Sequence, residues 1–298
     1  FNNLIIILRQ VAVSGTMAIG VALVLISGEI DLSTGSQIAI SGMTCALLVV
    51  KAGWPFLPAM LIAILLTMVI GLLNGAATCF LHMPAMIATL GTMNIGSGIA
   101  YLLNGGKTVY GLPDGAKVIG QASVGKFPVS AIVMLVALCI GAFVLNKTKT
   151  GRLCFAIGSN ADAARLSGIN VTRIKMFAFL WCSVFCGIGG VILMGRLNSG
   201  VPTAGSDLFL DVVIACVVGG ISSAGGEGRV FGLLGGILVM GVLSNGMSVM
   251  GLEDYIQNIC KGVVLIMAVG IDSYRRYAAA ERKAHVIRSS SGAATAKN

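Results

Sequence analysis

Stretches of about 20 mostly apolar residues follow one another along almost the whole chain, and that length is what a transmembrane α-helix needs. Two of them are less regular than the others. Residues 36–52 are short and interrupted by glycine and serine, and residues 207–221 open with two aspartates. Either can be a broken or partly re-entrant helix, which a bilayer tolerates only where it is buried in protein. Nine candidate spans result, at 4–27, 36–52, 57–80, 84–103, 128–146, 175–195, 207–221, 230–250 and 255–272.

The sequence therefore predicts an all-α, polytopic membrane bundle with one transmembrane domain over residues 1–272. Composition agrees, because 56% of the residues are hydrophobic and 10% are charged, against about 45–50% and about 25% in soluble domains. A soluble enzyme, a disordered protein, a collagen and a disulfide scaffold are excluded. We expect no metal site, because the chain has only two histidines and its eight cysteines form no CxxC pair.

Basic residues gather in two segments, 147–175 and the tail after Asp272. Positive residues favour the cytoplasmic side of a membrane, and four spans separate the two segments, so both are expected in the cytoplasm, including the C-terminus. The net charge of +9 is then a feature of orientation and predicts no nucleic-acid partner. This topology puts Phe1 outside, so an additional first helix would give ten spans. Residues 273–298 are predicted to be a basic, disordered cytoplasmic tail.

The loop 147–174 contains one short helical pattern. Residues 161–166 are mostly good helix formers, Asn160 is a suitable N-cap and Gly168 a suitable C-terminal stop. A short cytoplasmic helix can dock in the groove of a partner protein. An ordinary basic connector is the alternative interpretation.

The same loop resembles the coupling motif E-A-A-x-x-x-G of permeases in ATP-binding-cassette (ABC) importers, with Asp162 in place of the glutamate. The chain more closely resembles the ribose, galactose and arabinose permease family. The segment 27–33 (Ser-Gly-Glu-Ile-Asp-Leu-Ser) is similar to that family's Gly-Gly-Ile-Asp-Leu-Ser signature, with Glu29 replacing a glycine. Further similar runs cover nearly the whole chain: Gly151-Arg152, Ala156-Ile157-Gly158, Asn160, Ala163-Ala164-Arg165, Gly168-Ile169, residues 196–205, 218–229 and 244–247.

This resemblance implies the permease subunit of a binding-protein-dependent importer, with a fold like that of the vitamin B12-type importers, in a bacterial cytoplasmic (inner) membrane. It would carry a ribose-like pentose or hexose inward by alternating access. The implied partners are a second permease chain, an ABC ATP-binding subunit and an extracytoplasmic sugar-binding protein. The residues implied in coupling to the ATPase are Gly151, Arg152, Asn160, Asp162, Ala163, Ala164, Arg165 and Gly168.

The chain itself is expected to bind no cofactor and to be no enzyme, so ATP and magnesium belong to the partner ATPase. The nearest approach to a P-loop, Gly120-x4-Gly125-Lys126, continues with Phe127 where serine or threonine must hold magnesium. It also falls in the external loop 104–127. We therefore reject a nucleotide site in this chain.

Polar residues in or beside the spans are candidates for the translocation pathway, because charge in a bilayer is costly and most often functional or paired. Glu29 and Asp31 follow the first span and face either water at the membrane edge or a polar cavity. They either end one helix and cap the next, with Asp31 or Ser33 as N-cap, or serve the pathway. Asp211 is a further pathway candidate that can instead pair with Lys261, and Asn245 needs a hydrogen-bond partner within its span.

Three alternative functions remain open at this stage. A secondary transporter driven by an ion gradient would use the intramembrane charges, although no paired repeat is visible. A membrane enzyme would need a convergent polar site, for which the spans carry few residues. Related ABC permeases serve other small solutes such as branched-chain amino acids, and only the finer motif resemblance favours a sugar.

Overall fold

A computed structural model describes the backbone of residues 2–295 and the side chains of residues 3–278 and 281. The chain is built almost entirely from helices. These are α1 (Asn2–Ile26), α2 (Thr34–Val50), α3 (Phe56–Cys79), α4 (Ala85–Leu102), α5 (Asp114–Gln121), α6 (Val129–Lys147), α7 (Lys149–Ser159), α8 (Ala161–Leu166), α9 (Val171–Leu197), α10 (Leu208–Val218), α11 (Val230–Val249) and α12 (Asp254–Thr295). The strands are β1 (Val109–Tyr110), β2 (Ser123–Val124), β3 (Phe127–Pro128) and β4 (Ser199–Gly200).

A helix begins within a few residues of each predicted span. Within the described residues, seven helices are long and apolar enough to cross a membrane, whereas Thr34–Val50 and Leu208–Val218 are shorter apolar helices. The two irregular spans are thus the two short helices. At 11 residues, α10 is about 16 Å long, roughly half of the about 30 Å hydrocarbon core. The polytopic helical bundle that the sequence predicts is confirmed.

Helix α9 lies at the centre of the bundle and packs against α1, α2 and α3. Glycine allows these close approaches. A Cβ on Gly20 of α1 would stand 2.8 Å from the Cα atom of Cys182, and one on Gly190 of α9 would stand 2.5 Å from the carbonyl oxygen of Ile38. Large apolar side chains such as Leu65, Phe143 and Ile266 are exposed on the outside of the bundle, as expected where lipid replaces water.

The two sides of the bundle differ. On one side α5 packs on the end of α9, and β1 pairs antiparallel with β4 through Val109–Gly200 and Tyr110–Ser199. The basic loop with α7 and α8 lies on the other side, which we call the basic side. There Gly226 donates its N–H to the carbonyl oxygen of Ile26 at 2.9 Å, and the hydroxyl of Ser223 donates to Asp272 at 3.1 Å. Both basic segments therefore begin on one side, as the charge pattern predicts.

The prediction of a disordered tail from residue 273 is wrong for most of that segment, because α12 continues through Thr295. Residues 274–284 are rich in alanine, arginine, lysine and glutamate, which are strong helix formers. Two contacts, each between residues one helical turn apart, support the extension. Arg276 pairs with Asp272 at 3.2 Å, and the Tyr277 hydroxyl donates to Glu281 at 2.9 Å. Residues 296–298 of the predicted tail lie outside the described residues.

Candidate functional site

The basic loop forms two helices that meet at Asn160. The side chain of Asn160 accepts a hydrogen bond from the N–H of Ala163 at 2.9 Å, so the predicted N-cap of α8 is confirmed. Helix α7 begins in the same way, since the Thr148 hydroxyl accepts from the N–H of Gly151 at 3.2 Å. The elements predicted from the sequence do not include α7. Its signal is the spacing of Cys154 and Ile157, three residues apart and both buried.

Helix α8 ends at the predicted glycine. Gly168 has φ = +81°, a conformation that suits glycine, and the N–H of Ile169 returns to the carbonyl oxygen of Ala164 at 3.1 Å. This is the common glycine-terminated helix end, and it confirms Gly168 as a stop. The short helix is thus fixed at both ends by local hydrogen bonds.

The residues implied in coupling divide into an exposed and a buried set. Gly151 of α7 and Ala164 of α8 are buried, and Asn160 is the N-cap of α8. Leu166, which the sequence analysis did not select, is 91% exposed, an apolar side chain that a partner protein can cover. Of the residues implied in coupling, the exposed ones are Arg152, Asn160, Asp162, Ala163, Arg165 and Gly168. Arg165 and Asp162 approach to 3.7 Å, but both are largely exposed, so the pair adds little stability.

The basic loop also touches the bundle through backbone atoms. Gly158 lies against the carbonyl oxygen of Ile26, the last residue of α1, and a Cβ placed there would overlap that oxygen and stand 2.5 Å from the nitrogen of Gly226. Gly226 in turn donates to Ile26. One point therefore joins α7, α1 and the loop before α11. The resemblance includes Gly158, but only the structure shows what the residue contacts.

Asp31 lies in a closed hydrogen-bonded cluster rather than at a water-filled surface. It is 1% exposed and accepts from the Ser33 hydroxyl at 2.6 Å, the Ser33 N–H at 2.9 Å and the Asn74 amide at 3.3 Å. Burial raises the pKa of Asp31 and these hydrogen bonds oppose the rise. The expectation that Asp31 faces water or a cavity is wrong, because its neighbours on α2 and α3 satisfy the carboxylate within the protein.

The capping prediction is only partly right. Ser33 occupies the N-cap position of α2, but its hydroxyl makes no capping bond to the helix, since it donates to Asp31. Glu29, the other carboxylate of this segment, pairs with Lys175 at the start of α9. Both carboxylates thus hold the α1–α2 connection against neighbouring helices on the basic side.

Asp211 of α10 and Lys261 of α12 form the expected intramembrane pair. The Lys261 Nζ atom lies 2.8 Å from one carboxylate oxygen of Asp211 and donates to the other at 2.9 Å. Both side chains are mostly buried, so each offsets the cost of the other charge in this apolar environment. The prediction of pairing is confirmed.

A polar cavity of about 90 Å³ lies beside this pair, and Asp211 is one of its walls. The remaining polar residues that line it are Gln10, Ser14, Arg196 and Ser244, which come from α1, α9 and α11. Asn245 is the predicted pathway residue of α11, but its neighbour Ser244 lines the cavity. Gln10 and Ser14 were missed, and the signal for them is that they are polar residues within the first apolar stretch.

The predicted pathway residues are therefore separated in space. Glu29 and Asp31 belong to the basic side, whereas Asp211 belongs to the polar cavity among α1, α9, α10 and α11. Asn245 is buried on α11, and no side-chain hydrogen bond to it is found within the described part of the chain. Among those residues no group of three or more histidine, cysteine, aspartate or glutamate residues is placed to hold a metal ion.

Known proteins resemble this chain over nearly its full length. The family described as "Branched-chain amino acid transport system / permease component" matches residues 3–269. The ribose import permease protein of Escherichia coli K12 is 36% identical over 282 residues, covering 92% of this chain and 87% of the relative. That of Bacillus subtilis 168 is 38% identical over 272 residues, covering 91% and 84%.

The xylose transport system permease protein of Escherichia coli K12 is 33% identical over 333 residues, covering 91% of this chain and 85% of the relative. No solved structure matches the chain. The family match spans every helix from α1 to the membrane part of α12, including the basic loop and the residues that line the polar cavity. The chain therefore belongs to the family of branched-chain amino acid transport system permease components, and it is a multi-pass membrane transport subunit.

Proposed function

We propose that this chain is the permease subunit of an ABC importer that carries a monosaccharide, a pentose or hexose similar to ribose, into the cytoplasm. The relatives named for ribose and xylose support the sugar as substrate. The observation that carries the proposal is α8, a short helix capped at both ends and exposed on the basic side. Such a surface suits a separate ATP-hydrolysing subunit, which we place in the cytoplasm together with the C-terminus.

We further propose how a movement of the ATPase reaches the substrate. Helix α8 follows α7 directly, and Gly158 of α7 touches the end of α1 and the loop before α11. Helices α1 and α11 also carry Gln10, Ser14 and Ser244 to the polar cavity. A push on α8 would therefore move two walls of that cavity, which is what alternating access requires.

The cavity supplies hydrogen-bond donors and acceptors for a sugar that moves through it. A monosaccharide offers hydroxyl groups that donate and accept hydrogen bonds, and Gln10, Arg196 and Asp211 provide both acceptors and donors. Of the four pathway candidates, Asp211 is the best placed, and Ser244 replaces Asn245 as the contact from α11. We assign Glu29 and Asp31 to holding the basic end of the bundle in register.

The proposed complex contains two copies of this chain, an ATP-binding subunit on each, and an extracytoplasmic sugar-binding protein, in the bacterial inner membrane. Nucleotide and magnesium would be held by the ATP-binding subunits alone. The membership of the family supports an ATP-binding partner and a binding protein.

The test is to purify the chain with the candidate ATPase encoded beside it and to reconstitute both in nanodiscs. We expect stoichiometric co-purification and ATP hydrolysis that increases with sugar-loaded binding protein. Uptake of labelled ribose, xylose and leucine by vesicles then distinguishes a sugar from a branched-chain amino acid. If no ATPase binds and uptake collapses when the proton gradient is removed, the chain is an ion-driven carrier and the proposal is wrong.

A further inference from the structure

A second cavity, unrelated to the polar pathway, opens on the basic side of the bundle. Its volume is about 330 Å³. It lies between the α3–α4 connection, the start of α9 and the coupling helix α8. The polar side chains that line it are Glu29, Thr78, His82, Arg165, Thr172 and Lys175.

The electrostatics of this cavity favour an anion. Glu29 is the one carboxylate among its lining residues, and Lys175 pairs with it. Arg165 adds a further positive charge to the wall, because its partner Asp162 lies outside the lining and the two exposed side chains approach only to 3.7 Å.

Helix α4 begins at Ala85 and the 27-residue helix α9 begins at Val171, and both residues line the cavity. The N-terminus of a helix carries a partial positive charge and N–H groups without intrahelical partners. In α9 the Asn170 side chain already accepts from the N–H of Arg173, so the N–H groups of Val171 and Thr172 are the donors that this end offers.

One donor in the wall lacks a partner. The hydroxyl oxygen of Thr78 is buried and makes no hydrogen bond to any described residue, although Thr78 borders the cavity. A buried hydroxyl without a partner destabilises the fold. Thr172 adds a second hydroxyl-bearing side chain to the same wall, and an anion oxygen is an acceptor for either hydroxyl once the side chain turns toward the cavity.

The surroundings place this cavity at the boundary of the membrane. Beside it, the exposed side chains of Phe80, Leu81 and Ile87 are 63%, 71% and 61% accessible, and they lie at the ends of spanning helices α3 and α4. Apolar side chains at this level suit lipid acyl chains. Basic pockets between membrane helices on the cytoplasmic side are known to hold the phosphate of anionic lipids.

We propose that this cavity is a binding site for a phosphate group, carried either by an anionic phospholipid or by a soluble phosphate compound. The site goes beyond the transport function, and its occupation needs no ATPase and no sugar. Because Arg165 of α8 borders the cavity, a bound phosphate would also contact the helix that we assign to the ATPase.

Native mass spectrometry of the full chain in detergent tests the proposal. The probes are phosphatidylglycerol, phosphatidylcholine and inorganic phosphate. We expect one phosphatidylglycerol to be retained in preference to phosphatidylcholine. Arg165→Gln should lower that retention about fivefold, which is the effect of one basic residue near an anionic lipid. Lys147→Gln is the matched control, because Lys147 is an exposed basic residue of the same loop region outside the cavity.

Thr78→Val is a second, nearly isosteric variant that removes the unpaired hydroxyl, and it should weaken retention without lowering thermal stability. Competition by inorganic phosphate distinguishes the two sources. If inorganic phosphate displaces the retained lipid only weakly, the site binds a lipid headgroup. If phosphate binds and neither lipid is preferred, the site binds a soluble phosphate compound. Equal retention of both lipids without phosphate binding overturns the proposal, as does a Lys147→Gln effect equal to that of Arg165→Gln. Neither result bears on whether an ATPase binds.

Discussion

The basic loop and the polar cavity are held together by different kinds of contact. The structure of the loop is fixed by helix ends and close backbone contacts: Asn160 caps α8, Gly168 ends it, and Gly158 lets α7 touch Ile26. In the cavity, side chains from four helices meet, and Asp211 in its wall is held by Lys261 of α12, 50 residues away. The loop is thus sensitive to added volume, whereas the cavity is sensitive to lost charge.

The largest effect is expected from breaking the charge pair. Lys261→Met leaves Asp211 as an unpaired buried carboxylate, and removing one partner of a buried pair costs about 3–5 kcal/mol. We expect a large loss of folded protein, measured by thermal unfolding in detergent. The double variant Asp211→Leu/Lys261→Met removes both charges and should recover most of the stability.

The double variant also separates stability from transport. If Asp211 contributes to the pathway, the stable double variant should still bind its ATPase but move little sugar. Normal uptake by that variant would show that the pair is only structural.

A smaller effect is expected from adding volume at the point where the loop meets the bundle. Gly158→Val places side-chain atoms against Ile26 and Gly226, and overpacking of this kind costs about 1–3 kcal/mol. We expect ATP hydrolysis that no longer responds to the binding protein, because α7 cannot keep its contact with α1. The control is Gly246→Ala, since no atom lies within 4 Å of a Cβ built at Gly246. A responsive Gly158→Val complex would contradict this transmission route.

The sequence predicts the loop better than the cavity, and the contrast has a physical cause. Capping depends on residues within a few positions of each other, so Asn160 and Gly168 can be recognised by inspection. The Asp211–Lys261 pair could be anticipated because two opposite charges inside a membrane must meet a partner. Nothing local indicates that Ser244 rather than Asn245 faces the cavity, because that depends on how α11 is rotated against α1.

The same reasoning explains the error at Asp31. Its position after an apolar span suggests an edge of the membrane, whereas the structure buries it beneath Asn74, a residue from α3 that lies 43 positions away. The seven long apolar helices of the described residues were predictable because a membrane span needs about 20 apolar residues, whereas the two irregular spans correspond to the shorter helices α2 and α10. The continuation of α12 was missed because basic and small residues were read as disorder, although their helix propensity is high.

A smaller effect again is expected from Gly168→Arg at the end of α8. The left-handed conformation of Gly168 costs a residue with a side chain roughly 1–2 kcal/mol, and the added arginine also stands on the docking surface. We expect ATPase recovery in a pull-down to fall about tenfold, the equivalent of 1.4 kcal/mol, with the bundle still folded. Gly168→Asn, which tolerates this conformation better, should retain most of the binding. Unchanged recovery with Gly168→Arg would remove α8 from the interface.

The smallest effect concerns Cys154, on the face of α7 that packs inward. Burial raises the pKa of its thiol to about 12, and the thiolate is the reactive form. The thiol should therefore stay protonated and unlabelled by maleimide throughout the neutral range, with reactivity rising only as the pH approaches the raised pKa. Ala156→Cys, at an exposed position of the same helix, should be labelled quickly at pH 7.5. Labelling of both sites at similar rates, measured by peptide mass mapping, would mean that α7 detaches from the bundle. The coupling loop would then be a mobile connector, and its contact with α1 could not transmit a push to the polar cavity.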